Sequence, residues 1–350
     1  MGDVRMSAVG HGNGPTPDAI MRLGTAFWGS KTLLSAVELG VFSELAGAGP
    51  LDGEVLRERL GLHPRGAMDF FDALVALGML EREDGRYANT PASELFLDRA
   101  KSSYMGGFLE MLNARHYGHW GSLTEALRTG LPQTEVARAE TGKKPFEVLY
   151  ADPVRLAQFA RAMTAVSASS ARMLAAKFPW QEHSSVIDIG CAEGAVPVQV
   201  ALMHEHITGG GFDLPPLGPI FDAYIAGFGL GERLSFTGGD FFTDVLPQAD
   251  VFVMGHVLSG YDVAGKRLLL HKAYDALPGG GVLIVYDTFI DDERRSNAHG
   301  LLMSLNMLVQ NPGGSEYTGA DCRAWMQEAG FRESYVEHLA GPDSMAVGIK

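Results

Sequence analysis

Ser185-Val186-Ile187-Asp188-Ile189-Gly190-Cys191-Ala192-Glu193-Gly194 reads as a short apolar strand running straight into a glycine-rich turn. Gly190 lets the backbone turn sharply at the strand end, and Gly194 lets the next helix begin close to a ligand. A strand-to-helix turn of this kind serves many nucleotide-binding folds, and by itself it is equally compatible with a purely structural turn. The glycine triplet of the dinucleotide type, G-x-G-x-x-G, is absent, because only Gly190 and Gly194 are present.

Downstream of this turn, short β-prone segments recur with helical patterns between most of them. They are Gly210 to Asp213, Leu234 to Phe236, Ala249 to Met254 and Gly281 to Tyr286. Alternation of strand and helix predicts a mainly parallel, doubly wound sheet covered on both faces, an α/β fold. Ligands of such sheets sit at the carboxyl ends of the strands. Phe212-Asp213-Leu214-Pro215 places a carboxylate at the second strand tip, where it suits a bidentate hold on ribose hydroxyls. Taken alone, a strand-end Asp is as readily a turn or helix cap. After the third strand, Gly238-Gly239-Asp240-Phe241-Phe242 offers Asp240 to an adenine amino group and Phe241 to the ring face. Three ligand-type features on three successive strand ends point to one nucleoside-like ligand.

The half of the chain before Ser185 has a different rhythm. From Asp18 to about Lys177 it is helical almost throughout, with Ile20, Leu23, Phe27, Leu33, Leu34 and Val37 recurring near helical spacing and Gly40 as a stop. A helix from Glu54, a turn at Gly61 to Pro64, a helix over Ala67 to Leu77 and an Asp84-Gly85 hairpin describe a winged helix. DNA readout is disfavoured, because the second helix carries Asp69 and Asp72 where donors would be needed. Acidic residues outnumber basic ones by 42 to 28, a formal charge of −14, which repels nucleic acid and anionic membranes alike. The module is therefore expected to pack or dimerise. Two cysteines, Cys191 and Cys322, build no disulfide framework, and a reducing, cytoplasmic setting fits. No stretch is apolar for long enough to span a bilayer. The expected organisation is a flexible tail over 1–17, a winged-helix dimerisation domain over 18–100, a helical substrate-lining segment over 101–180 and the sheet domain over 181–350, with a polar loop around Pro132 to Lys144.

From Thr16 to Lys350 the chain resembles the caffeate/acetylserotonin-type small-molecule O-methyltransferases, including bacterial natural-product members. The resemblance is carried by Asp188 to Gly194, Phe212 to Pro215, Gly239 to Phe242, Asp250 to Val253, Pro278 to Gly281 and Asn311 to Glu316. It implies a Rossmann-like domain that binds S-adenosylmethionine, and a homodimer built through the winged-helix portion. It also implies a small-molecule acceptor lying between the two portions. Carried over residue by residue, Asp188, Gly190 and Gly194 lie by the methionine moiety, Asp213 and Leu214 by the ribose, and Asp240 and Phe241 by the adenine. Met163, His116, Trp120, Met307 and Asn311 fall at positions expected to line the acceptor. No metal is implied.

The chain departs from the family at its base. Members usually carry His-Asp-Trp after the fourth strand, and that His takes the acceptor proton. Here Ser259-Gly260-Tyr261 stands in that place, within His256-Val257-Leu258-Ser259-Gly260-Tyr261-Asp262. A serine has no useful basicity at neutral pH. The flanking acids survive as Asp287 and Glu316. His256, three residues earlier, is expected to point elsewhere, and His116, His119 and His299 are more readily packed or surface histidines. A base contributes only where the nucleophile must lose a proton. The expected activity is methylation of an acidic or self-ionising secondary-metabolite group, with Asp287 or Glu316 as substitute bases in a second version. The alternative is a homologue that binds the cofactor for C-, N- or S-methylation or for a non-methylating reaction.

Overall fold

A computed structural model describes residues 15–101, 103–134 and 149–350. Most of the expected tail and most of the Pro132 to Lys144 loop therefore lie outside the described residues. The chain divides into two compact units, one ending at Asp98 and one beginning at Arg99.

The first unit opens with α1 (Asp18–Leu39), which Gly40 ends in the left-handed conformation at φ 76°. Helices α2 (Val41–Ala48), α3 (Gly53–Arg59), α4 (Pro64–Ala76) and α5 (Pro91–Phe96) follow. Between them β1 (Leu51–Asp52), β2 (Leu80–Glu83) and β3 (Arg86–Asn89) form a small sheet of order β1-β3-β2, the wing. Asp72 of α4 accepts from Tyr87 Oη at 2.7 Å and pairs with Arg82 of the wing, so helix and hairpin are tied by an internal ion pair. On α1, Ile20, Leu23 and Trp28 are 74%, 79% and 63% exposed, an apolar surface on a helix whose far end is buried.

The second unit begins with short helical pieces. These are α6 (Gly106–Met111), a π turn (Leu112–His116), α7 (Tyr117–Trp120) and α8 (Leu123–Thr129), where the sequence pattern suggests one continuous run. The long α9 (Pro153–Lys177) is capped by Asp152, whose side chain accepts from the Val154 and Arg155 amides. Then come β4 (Ser185–Ile189), α10 (Ala195–Met203), β5 (Thr208–Asp213), α11 (Gly218–Ala226), β6 (Leu234–Gly238) and β7 (Val251–Gly255). They are followed by α12 (Val263–Ala276), β8 (Val282–Asp287), α13 (Ala298–Gln310), α14 (Gly319–Ala329), β9 (Glu333–Ala340) and β10 (Asp343–Ile349).

These strands form one sheet of order β6-β5-β4-β7-β8-β10-β9. The first five run parallel, and β10 pairs antiparallel with both β8 and β9. The antiparallel pair, joined by a turn at Gly341 with φ 55°, is not among the strands expected above. Strand side chains alternate between faces. Phe252, Met254, Leu283 and Val285 pack with α12 and α14 through Leu269, Leu270, Trp325 and Met326. Their neighbours Val251, Val253, Val282 and Ile284 pack on the other face with Leu174, Ala175, Val196 and Val200 of α9 and α10. Burial on both faces explains why these strands are apolar at consecutive positions. β5 and β7 lie on opposite sides of β4, which makes the carboxyl end of β4 the switch point where such sheets open a crevice.

Trp180 is fully buried where α9 returns to the sheet, and its Nε1 donates to the Leu174 carbonyl at 3.1 Å. Trp180→Ala removes a large, fully buried side chain, so it should cost about 3–5 kcal/mol in urea unfolding. A loss below about 1 kcal/mol would mean that this face of the sheet is not packed as described.

Candidate active site

The crevice at the end of β4 is built by backbone conformations that few side chains tolerate. Gly190 sits at φ 81° and Gly194 at φ 94°. A Cβ on Gly190 would stand 2.6 Å from Val257 Cγ2, and one on Gly194 would stand 2.5 Å from the Phe221 ring. Both glycines are required by geometry as well as by φ. Asp213 at the tip of β5 accepts from the Ala192 amide at 3.1 Å and from the Leu214 amide at 2.7 Å, and Tyr150 Oη donates to it at 3.3 Å. Burial raises the Asp213 pKa to about 6, opposed by those donors. Burial, reinforced by the charge of Asp213, raises Asp188 further, to about 8. Asp240 caps its own turn by accepting from the Phe242 amide at 2.8 Å. Beside it Phe241, Phe242 and Tyr261 form an aromatic corner, with ring centroids 4.9–5.9 Å apart. A carboxylate at one strand tip, with an acid and aromatic corner at the strand on one side and a Cβ-free turn at the strand on the other, fits a nucleoside with a polar tail. Tyr150 belongs to this group, although nothing in the motif spacing singles it out.

A second group gathers at the ends of β7 and β8. Ser259 lies in a single turn, Leu258–Gly260, just after β7. Its Oγ donates to Asp287 Oδ1 at 3.1 Å, and Tyr317 Oη donates to Asp287 Oδ2 at 2.5 Å. Asp287 itself is fully buried. The loop after α13 closes over this turn through the Ser315 amide, which donates to the Ser259 carbonyl at 2.9 Å. Glu316 is 5% exposed, and its Oε2 has no hydrogen-bond partner among the described residues. Burial first, then the charge of Asp287, raises the Glu316 pKa to about 9, so its carboxyl is neutral at pH 7. Buried Lys266 donates to the Tyr261 carbonyl at 2.5 Å and to Ser315 Oγ at 3.2 Å, which pins both loops.

The residues expected to line the acceptor lie on the π turn, α7, α9 and α13 and just after α13. Trp120 Nε1 donates to Asn306 Oδ1 at 3.0 Å, and His119 Nδ1 lies 3.0 Å from Gln310 Oε1, which joins α7 to α13. Met307 accepts from Asn311 Nδ2 through its sulfur at 3.4 Å. Met163 is half-buried on α9. His116 has an Nδ1 without a hydrogen-bond partner among the described residues, and burial together with Arg115 holds its pKa down at about 4. His299 is exposed on the first turn of α13. Among the described residues, no group of three or more His, Cys, Asp or Glu side chains could hold a metal ion. No helix among them is long and apolar enough to cross a membrane.

Residues 21–99 match the model of the O-methyltransferase dimerisation domain, and residues 120–332 match that of the O-methyltransferase domain. The chain is 43% identical to the tetracenomycin polyketide synthesis 8-O-methyl transferase TcmO of Streptomyces glaucescens, over 95% of this chain and 97% of that one. It is 39% identical to the N,N-dimethyltransferase OxyT of Streptomyces rimosus, over 92% of each. It is also 32% identical to a 3-hydroxy-5-methyl-1-naphthoate 3-O-methyltransferase of Streptomyces sahachiroi, over 98% and 99%. Among solved structures it resembles human N-acetylserotonin methyltransferase in complex with S-adenosylmethionine, at 27% identity, with a TM-score of 0.88 over 98% of this chain and 99% of that one. The chain belongs to the O-methyltransferase family and is an S-adenosylmethionine-dependent methyltransferase.

Proposed function

We propose that this enzyme methylates an acidic hydroxyl of an aromatic secondary metabolite, and that the acceptor reaches its reactive anion without a side-chain base. The observation that carries this reading is the Ser259 hydroxyl, which the family resemblance aligns with the base and which donates a hydrogen bond to Asp287. A hydroxyl cannot replace imidazole as a proton acceptor near neutral pH. When bound, S-adenosylmethionine supplies an electrophilic methyl carbon. Gly190 and Gly194 would leave room for its polar tail, Asp213 and Leu214 would hold the ribose, and Asp240 with Phe241 would take the adenine. The relatives that act on a polyketide and on a hydroxynaphthoate support a phenolic acceptor, because a phenol ionises far more readily than an aliphatic alcohol.

In this reading the protein positions and stabilises. Holding an ionised oxygen in line with the methyl carbon supplies several kcal/mol by proximity alone. Neutral Glu316, with a free buried oxygen, is suited to donate a hydrogen bond to a phenolate rather than to take its proton. Trp120, His116, Met163, Met307 and Asn311 would form the acceptor wall. The first unit, matching a dimerisation domain, would place its exposed α1 residues Ile20, Leu23 and Trp28 against a second copy.

Incubation with methyl-labelled S-adenosylmethionine and hydroxynaphthoates should place the label on the ring oxygen. Label appearing on amine acceptors alone would transfer the assignment to the chemistry of the dimethyltransferase relative. Glu316→Gln, which mimics the neutral acid, should stay within a few-fold of the wild type, whereas Glu316→Ala should lose about tenfold or more. If Glu316 were a base, Gln would be as damaging as Ala, costing about 10²- to 10⁴-fold. Activity should fall as pH rises through about 9, where Glu316 ionises beside the anionic acceptor. Gly190→Ala forces a Cβ into Val257 at an unfavourable φ, so calorimetry should show affinity for S-adenosylhomocysteine reduced by at least about tenfold. Unchanged affinity would place the cofactor elsewhere.

A further inference from the structure

Behind the Ser259 and Asp287 pair lies a half-buried histidine, its side chain 20% exposed, that the methyltransferase reading above does not use. His256 follows β7 directly and adopts φ 55°, a conformation rare for a residue with a side chain. Its backbone amide donates to the Tyr286 carbonyl at 2.9 Å, and its ring stands edge-on to the Tyr286 ring at 5.1 Å. The unusual φ aims the imidazole between two carboxylates from two other strands. Nδ1 lies 3.6 Å from Asp287 Oδ1 at the end of β8. Nε2 lies 3.2 Å from Asp343 Oδ2 at the start of β10, close enough for an ion pair although not aligned as a hydrogen bond. Asp343 is itself anchored, accepting from Ser170 of α9 at 2.6 Å and from Thr288 at 3.1 Å.

We propose that His256 is a positioning residue for methyl transfer, a half-buried cation that clamps Asp287 between β7 and β10 and so fixes Ser259, Tyr317 and Glu316 at the acceptor end. This rests on the reading of that end as the acceptor site. The chain of contacts is continuous: Asp343 holds His256, His256 faces Asp287 Oδ1, and that same oxygen accepts from Ser259. The titratable groups around His256 are Asp287 and Tyr286 from β8, Asp343 from β10, and Glu316 and Tyr317 from the loop after α13. Lys266 of α12 faces Asp287 and Glu316. With Glu316 neutral, two carboxylates meet two cations and the buried cluster balances. Burial works against the charge on His256, but Asp287 and Asp343 outweigh it and hold its pKa up at about 10. A serine at the base position thus sits on a carboxylate whose position and charge are set from behind. A single uncompensated acid there would be costly to bury.

Two measurements on the full-length enzyme test this. In ¹⁵N-histidine spectra one imidazole should remain doubly protonated from about pH 6 to 8.5, vanish in His256→Gln, and titrate at least about one pH unit lower in Asp343→Asn. A neutral His256 ring at pH 7 overturns the proposal whatever the acceptor proves to be. The second measurement is the pH profile of methyl transfer to a hydroxynaphthoate probe. In His256→Gln the high-pH limb set by Glu316 should move upward, because loss of a nearby cation favours the neutral acid, and kcat should fall about tenfold or more. Affinity for S-adenosylhomocysteine should stay within about twofold, since Gly190, Asp213 and Asp240 make no contact with His256. An unmoved limb and unchanged kcat in a folded variant would reduce His256 to a structural residue and overturn the proposal. If His256→Gln does not fold, Asp343→Asn carries both measurements. Failure of the wild type to methylate the probe would count against the phenolic acceptor alone, and the ¹⁵N result would still decide the charge of His256.

Discussion

Asp287 is the point on which the proposed acceptor end of this enzyme depends. It is the last residue of β8, fully buried, and it accepts from Ser259 and Tyr317 while His256 faces it from behind. Ser259 and His256 both come from the stretch just after β7, His256 at its strained first residue, and Tyr317 comes from the loop after α13. A buried carboxylate without partners would cost several kcal/mol, so the fold is obliged to bring donors and a cation to it. That obligation fixes where Ser259 and Glu316 stand, and Glu316 in turn is held neutral chiefly by burial and next by the charge of Asp287. The electrostatics of the site follow from one acid at one strand end.

This arrangement divides labour between the two ends of the crevice. The proposed cofactor end rests largely on fixed geometry: positive-φ glycines, amides satisfied by Asp213, and an aromatic corner beside Asp240. The acceptor end is made of coupled side chains, where Glu316, His256 and Lys266 are shifted from their ordinary behaviour by burial and by one another. Coupled groups of that kind can change their chemistry through one substitution. In the function proposed above, a serine at position 259 in place of a histidine leaves no proton acceptor there, and the surrounding framework binds and orients.

Much of this was legible in the sequence, for definite reasons. Gly190, Gly194, Asp213 and the Asp240-Phe241 pair are local to strand ends, so spacing alone places them on one edge of the sheet. The parallel strands announced themselves through apolar runs that burial on both faces demands. The wing was readable from Asp84-Gly85 because a two-residue turn needs those residues. What sequence could not give depends on distant chain segments meeting. His256 and Asp343 lie 3.2 Å apart across 87 positions of the chain, and Tyr150 reaches Asp213 from a segment with no motif. The β9 and β10 strands alternate weakly, since the outer strand is largely exposed, and that blurred their period. The expected continuous run from Tyr104 to Leu127 breaks into four pieces around a π turn that no glycine or proline signals.

The central claim is that the acceptor loses its proton without help from a side chain of this enzyme. It is tested most directly by the pH dependence of kcat/KM for a series of ring-substituted naphthols spanning several pKa values. The account predicts that the rising limb moves in step with the acidity of each acceptor, so that every naphthol sets its own midpoint. A limb that stays at one pH for all acceptors would reveal a titrating enzyme group acting as base and would contradict it.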